Sequence, residues 1–235
     1  MTGAKPDLGT FGSFGRGVTA QQAGEIEALG YGAVWVGGSP PAELDWVDAL
    51  TGYLDKLDGY GVPKQRRVVA ALGPKVLQLS ARRSAGAHPY LTTPEHTARA
   101  RELIGPEAFL APEHKVVLTT DERSREEHVT DVEKARAVGR KALEIYLNLT
   151  NYLNSWKRLG FSDAELAKPG SDRLVDAVVA HGTAEQIAAR LTEHLEAGAD
   201  HVPVQVLTSP DKLVPALAEL AGPLGLKTTE SEEPK

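Results

Sequence analysis

The chain has no cysteine, a single methionine and few aromatic residues: four Phe, six Tyr and three Trp in 235 positions. Without cysteine there is no disulfide framework, zinc ribbon, iron–sulfur cluster or thiol nucleophile. Basic residues are also in deficit. Lys+Arg 26 minus Asp+Glu 32 leaves a net charge of −6, the wrong sign for the basic surface that nonspecific nucleic-acid binding requires. No apolar run approaches the ~20 residues of a membrane span, and residues 1–7 lack a signal-peptide core. The seven histidines show no HxH or HExxH spacing, which argues against a metal site. Gly-x-Ser-x-Gly is absent as well, so a serine hydrolase lacks its usual signature. What is present is ordinary for a globular protein: 41% hydrophobic and 25% charged residues, in a chain long enough to bury a core without staples. The expectation is an acidic, cytoplasmic protein that is neither membrane-spanning nor a nucleic-acid binder.

Between two polar tails (1–7 and 227–235), residues 8–222 read as a single domain in which strand-like and helix-like segments alternate. Residues 8–14 form a short strand that ends in a glycine-rich loop. Thr19 and Gln22 then have capping-box spacing, a helix runs to Leu29, and Gly30 stands at its left-handed stop. The apolar strand 33–36 follows. The same grammar recurs later, with Thr183 and Gln186 as the cap, Ile187, Leu191 and Leu195 as the helical stripe, Gly198 as the stop and 201–207 as the strand. Residues 67–72 and 87–91 add apolar runs on either side of a helix over 74–84, and 116–118 is a weaker strand. Helices are expected at 44–57, interrupted at Thr51-Gly52, at 131–159 as one long element, and after the cap Ser162-x-x-Glu165. The charge run 121–131 reads as a solvated loop. Apolar strands separated by helices imply a parallel sheet and an α/β fold.

The ordered phrases LGTFGSF, GYGAVWVGGSPP, LDWVDAL, GVPKQRRVVAALGPKVLQL, AGAHPYLTTPEHTARARELIG, LAPEHKVVL and HGTAEQIAARLTEHLEAGADHVPVQVL together resemble the bacterial luciferase-like monooxygenase superfamily. The likeness is to its actinobacterial branch that uses the deazaflavin coenzyme F-420. This resemblance implies a (β/α)8 TIM-barrel fold, a flavin or deazaflavin at the C-terminal mouth, hydride transfer or oxygenation of a small organic substrate, and a homodimer. One departure stands out. In the family, a strand, a helix and another strand follow LDWVDAL, whereas here Leu50 runs directly into Thr51-Gly52-Tyr53. About two strands and one helix are therefore expected to be missing from a barrel that needs eight. In the family, the missing strands end against the coenzyme's ring.

Several residues could carry chemistry. Gly86 and Ala87, with His88 behind them, are in the position of the family's phosphate-binding loop, since small residues let backbone amides approach an anion. Each also has a structural reading: Gly86 in a tight connection, His88 as a satisfied strand histidine. Gly38 and Ser39 end the second strand and would face the ring, although as a bare pattern they signal only a turn. Phe14 and Arg16, in the first strand–helix loop, would line the substrate side. Thr183 could present free amides to an anion, but the capping box already accounts for it. Trp35, Trp46 and Trp156 read as core or interface anchors. The leading expectation is an oxidoreductase using F-420 or, alternatively, FMN, with no metal. A shortened, non-catalytic ligand-binding barrel and an isomerase acting on a phosphorylated substrate are the rival readings.

Overall fold

The computed structural model describes residues 5–15, 20–36, 46–119 and 131–227. Gly38, Ser39, Arg16, the Thr19 cap, the side chain of Trp46 and most of the charge run lie outside the described residues.

Local signals fix many of the element ends. Helix α1 (Ala20–Ala28) stops before Gly30, whose φ of 89° is the left-handed value that glycine adopts without strain. Both later capping boxes form, Ser162–Glu165 at α7 (Asp163–Leu166) and Thr183–Gln186 at α9 (Ala184–Glu196). The remaining elements are β1 (Phe11–Gly15), β2 (Val34–Val36), α2 (Trp46–Gly59), β3 (Val68–Val69), α3 (Pro74–Arg83), β4 (Gly86–Ala87), α4 (Pro94–Ile104), β5 (Phe109–Leu110), β6 (His114–Leu118), α5 (Asp131–Leu143), α6 (Thr150–Arg158), α8 (Asp172–Val178), β7 (Val179–Gly182), β8 (Val202–Val206) and α10 (Leu213–Ala221).

Two expectations need correction, and one strand is additional. The predicted helix 131–159 is two helices. Near the break, the Asn148 amide donates to the Glu144 carbonyl at 3.0 Å, so a side chain takes the place of a helical backbone donor. Helix α2 is unbroken at Thr51-Gly52, and the Thr51 hydroxyl bonds the Val47 carbonyl one turn back at 2.7 Å. The join between Leu50 and Thr51, where the family pattern breaks off, therefore lies inside a continuous helix. Finally, β7 follows α8 without an intervening turn residue, and polar residues at 113–115 interrupt the apolar run of β6. Periodicity alone therefore leaves β7 unseen and β6 weak.

Every strand pairing among the described residues is parallel. One sheet has the order β2-β1-β8-β6-β7 and the other β3-β4-β5. The two sheets meet along one extended segment, because β5 leads through Ala111-Pro112-Glu113 into β6. Beyond β4, Tyr90 bridges Glu113, and higher up β7 takes over the edge that β4 leaves. On the opposite edge, the Asp200 amide donates to the Leu110 carbonyl at 2.8 Å. The Asp200 carboxylate accepts from the Leu110 amide at 2.9 Å and from Arg101 at 2.7 Å. The result is a curved array in the order β3-β4-β5/β6-β8-β1-β2, an unclosed (β/α) barrel. Among the described residues, neither the outer edge of β2 nor that of β3 has a strand partner, and α2 carries the chain from one to the other.

The outward strand faces bury against helices. Phe11, Val116, Val202, Val204 and Val206 pack with Ile187 and Leu191 of α9 and with Leu217 and Leu220 of α10, each fully buried aliphatic side chain contributing roughly 1.5–3 kcal/mol. A second cluster gathers Trp156, Leu143, Leu174 and Val175 around α5, α6 and α8.

Candidate functional site

Because successive side chains on a strand alternate between faces, the outward set leaves the inward set by subtraction. The ladders pair Lys115 of β6 with Gln205 of β8, and Phe14 of β1 with Trp35 of β2. The β1–β8 register, which pairs Ser13 with Val204, brings Phe14 level with Gln205. A belt Lys115–Gln205–Phe14–Trp35 therefore crosses four neighbouring strands on the luminal face, and Glu113 lies two residues below Lys115. From the other sheet, His88 closes the belt: its ring stacks on Trp35 at 4.5 Å between centroids and 13° between planes. Phe14 lies 6.0 Å from the same imidazole.

One side of the belt is aromatic. His88 Nδ1 is 2.7 Å from the Ala111 carbonyl, and a carbonyl only accepts, so Nδ1 carries the proton. Burial withholds hydration from the imidazolium and brings the His88 pKa down to about 4, with the Lys115 charge adding to the effect and the Ala111 hydrogen bond opposing it. His88 is thus neutral at physiological pH, with its Nε2 lone pair left as an acceptor. The Trp35 Nε1–H donates to His201 Nε2 at 3.0 Å, and His201 Nδ1 donates to the Gly9 carbonyl at 2.8 Å. Gly12 makes this possible, since a Cβ there would lie 2.4 Å from His201 Nε2 and 2.9 Å from Trp35 Nε1.

The other side is polar. Lys115 donates to Glu113 Oε1 at 2.9 Å and to Gln205 Oε1, with its ammonium 5.7 Å above the Tyr146 ring. The two charged side chains are 4% and 0% exposed. Glu113 Oε2 is buried with no hydrogen-bond partner, a costly state for a carboxylate oxygen. Tyr90 and Tyr152 pack at 5.6 Å beside it, and burial is the main cause of the raised Tyr152 pKa. At this rim Leu91 holds a positive φ of 52°, uncommon for a residue with a side chain.

Among the residues singled out from sequence, Phe14 and His88 meet in this belt. Gly86 and Ala87 lie below it, inside the β3–β4–β5 ladder. A Cβ at Gly86 would come 1.8 Å from the Phe109 carbonyl oxygen, and the Ala87 methyl faces the α3–α4 side among Leu77 and Ala100. Both residues therefore hold strands close together beneath His88. The Thr183 cap is formed by Gln186. Trp35 belongs to the lumen, while Trp156 is a core anchor whose indole donates to the Leu91 carbonyl at 3.0 Å. Glu113, Lys115 and Gln205 escaped the sequence reading, although charges at i and i+2 inside an apolar strand mark a polar luminal face. Among the described residues, no group of three His, Asp or Glu is placed to hold a metal ion, and no helix is long and apolar enough to cross a membrane.

Polar and aromatic side chains are gathered inside an open parallel (β/α) barrel, a fold similar to that of solved oxidoreductases. In particular, an F-420-dependent secondary alcohol dehydrogenase, solved with an F-420–acetone adduct, aligns over 92% of this chain and 98% of its own, with a TM-score of 0.57 and 10% identity. The EDTA monooxygenase of a Chelativorans species aligns over 67% of this chain and 43% of its own, with a TM-score of 0.49 and 16% identity. The coenzyme F-420-dependent tetrahydromethanopterin reductase of Methanopyrus kandleri aligns over 66% and 48%, with a TM-score of 0.42 and 16% identity. This chain spans less than half the length of each of the last two. No protein-family model matches the sequence, and no curated protein matches it.

Proposed function

We propose that the protein is a luciferase-like oxidoreductase whose luminal belt receives a deazaflavin (coenzyme F-420) or, alternatively, FMN. The observation that carries this reading is the belt itself: in this fold, it sets aromatic rings (Phe14, Trp35, His88) beside a buried donor and acceptors (Lys115, Glu113, Gln205). That donor set suits a planar heterocycle with an imide edge, because Lys115 can donate to a ring carbonyl while His88 Nε2 or Glu113 accepts from a ring N–H. When bound, such a coenzyme supplies or accepts the hydride, and the protein orients it and excludes water. Phe14 contributes apolar surface for ring and substrate, with Arg16 at the substrate side. Gly38 and Ser39, which follow β2 in sequence, take the ring. Gly86 and Ala87 serve by holding the ladder from which His88 emerges. A homodimer in the cytoplasm completes the proposal, the edges of β2 and β3, which have no strand partner among the described residues, giving a second copy a place to pack.

A second reading rests on the Trp35–His88 stack. Among the described residues β2 and β3 border the open side of the barrel, and Trp35 of β2 reaches across the lumen to lie flat on His88, the residue after β4. A lumen filled in this way favours a barrel that binds a ligand without turnover. Titration of the purified protein with F-420 and with FMN, followed by fluorescence, tests both. Saturable binding at micromolar concentration or better is expected with at least one of them. No response to either would sink the coenzyme reading, and binding without hydride exchange would favour the non-catalytic barrel.

A further inference from the structure

The Lys115–Glu113 pair has a chemistry of its own that does not depend on a coenzyme. Lys115 is the single buried lysine among the described residues, inside a parallel barrel and level with the rim residues Phe14 and Gln205. Its ammonium is held by Glu113 and Gln205 over the face of Tyr146. The second Glu113 oxygen, Oε2, is enclosed and has no partner. Tyr90, Tyr146 and Gln205, all half-buried, separate this pair from solvent.

From this juxtaposition we infer that Lys115 is a carbonyl-condensing residue that forms an imine with a small, uncharged aldehyde or ketone. An exposed lysine is a poor nucleophile because its hydrated ammonium holds its proton. Here neither charge is well hydrated. Passing the proton to Glu113 therefore exchanges an enclosed ion pair for a neutral hydrogen-bonded pair and leaves no isolated buried charge. The freed amine pair attacks the carbonyl carbon, the carbonyl oxygen takes up the proton through Glu113, and a carbinolamine results. A second proton, from the nitrogen by way of the same carboxylate, lets the hydroxyl leave as water as the C=N bond forms. One carbonyl and one amine give one imine and one water, and no oxidant or reductant is consumed. Glu113 Oε2 gives that proton a second place to rest while Oε1 faces the nitrogen. The tyrosine rings favour an apolar carbonyl compound, and within the belt the charge of Lys115 is already matched by Glu113, so nothing there favours an anionic one.

The test is reductive trapping. The full-length protein is incubated at pH 7 with butanone and cyanoborohydride, which reduces an imine to a stable secondary amine, and labelled peptides are quantified by mass spectrometry against time. Lys115 is expected to be alkylated at least about tenfold faster than exposed lysines such as Lys56 and Lys157. Arginine in place of Lys115 keeps the charge and should abolish the fast phase. Glu113→Gln should slow it while leaving the far-ultraviolet circular dichroism unchanged. Burial alone predicts the opposite, protection of Lys115, so labelling no faster than at Lys157 in the folded protein would overturn the inference. The wild-type rates decide the matter even if a variant fails to fold, and the result is independent of whether F-420 or FMN binds.

Discussion

A single missing atom sets the spacing of the inner wall. Gly86 pairs with Val68 on one side and Phe109 on the other, and a Cβ would meet the Phe109 backbone oxygen, carbon and nitrogen at 1.8–2.6 Å. Backbone atoms cannot rotate away as a side-chain tip can. Gly86→Ala is therefore expected to destabilise the protein by about 3 kcal/mol, read as a lower urea midpoint with an unchanged slope. A loss under about 1 kcal/mol would mean that β4 and β5 are not so tightly apposed. Gly12 is a different case, since its would-be neighbours are the His201 and Trp35 side chains. The sequence singles out Gly86 but leaves phosphate binding and a tight connection both open, because a glycine required by a ligand and one required by a neighbouring strand look identical in one dimension.

Elements were legible in the sequence where a side chain closes them locally. At α9 the Thr183 hydroxyl accepts the Gln186 backbone N–H and the Gln186 side-chain Oε1 accepts the Thr183 backbone N–H, at 3.3 and 2.9 Å. Thr183→Ala should cost about 1 kcal/mol, while Thr183→Ser, which keeps the oxygen, should leave thermal stability nearly unchanged. If both variants unfold at the wild-type temperature, the cap contributes nothing. Elements defined by distant partners were harder to see. His114–Leu118 is a central strand because β7 and β8 flank it, not because its own residues are uniformly apolar.

At the scale of the whole molecule, histidines held neutral by burial make the fold acid-sensitive. His88 has its pKa brought down to about 4 and His194 to about 3, and His114 lies well below the ordinary value; burial is the main cause in each case. On the outer face of the sheet, His114 and His194 share a hydrogen bond of 2.9 Å, and Thr97 lies 2.8 Å from the other nitrogen of His194. In the unfolded chain each imidazole takes up a proton below about pH 6.5, while the folded protein resists. The unfolded state then binds more protons, so stability falls with pH below about 6.5. The His88 share of that loss is complete below about pH 4, and the His194 share nearer pH 3. Each such histidine should contribute up to ~1.4 kcal/mol per pH unit across its window. Urea midpoints measured from pH 7.5 to pH 4.5 should drop accordingly, and the drop should shrink in His194→Asn. A flat profile would show that these groups charge as readily inside the fold as outside it.

The sequence alone determined what depends on near neighbours: parallel alternation of short apolar strands with helices, the capping boxes, the glycine stops, and the order of phrases that resembles the luciferase-like barrel. It also revealed that a part of that barrel is absent. Only the tertiary structure decided what fills the gap. Lys115 and Gln205 are 90 residues apart and become neighbours through a strand register, while Trp35 of one sheet meets His88 of the other across the lumen. Local signals act over a turn or two, whereas the lumen is assembled from side chains whose meeting depends on how whole strands line up.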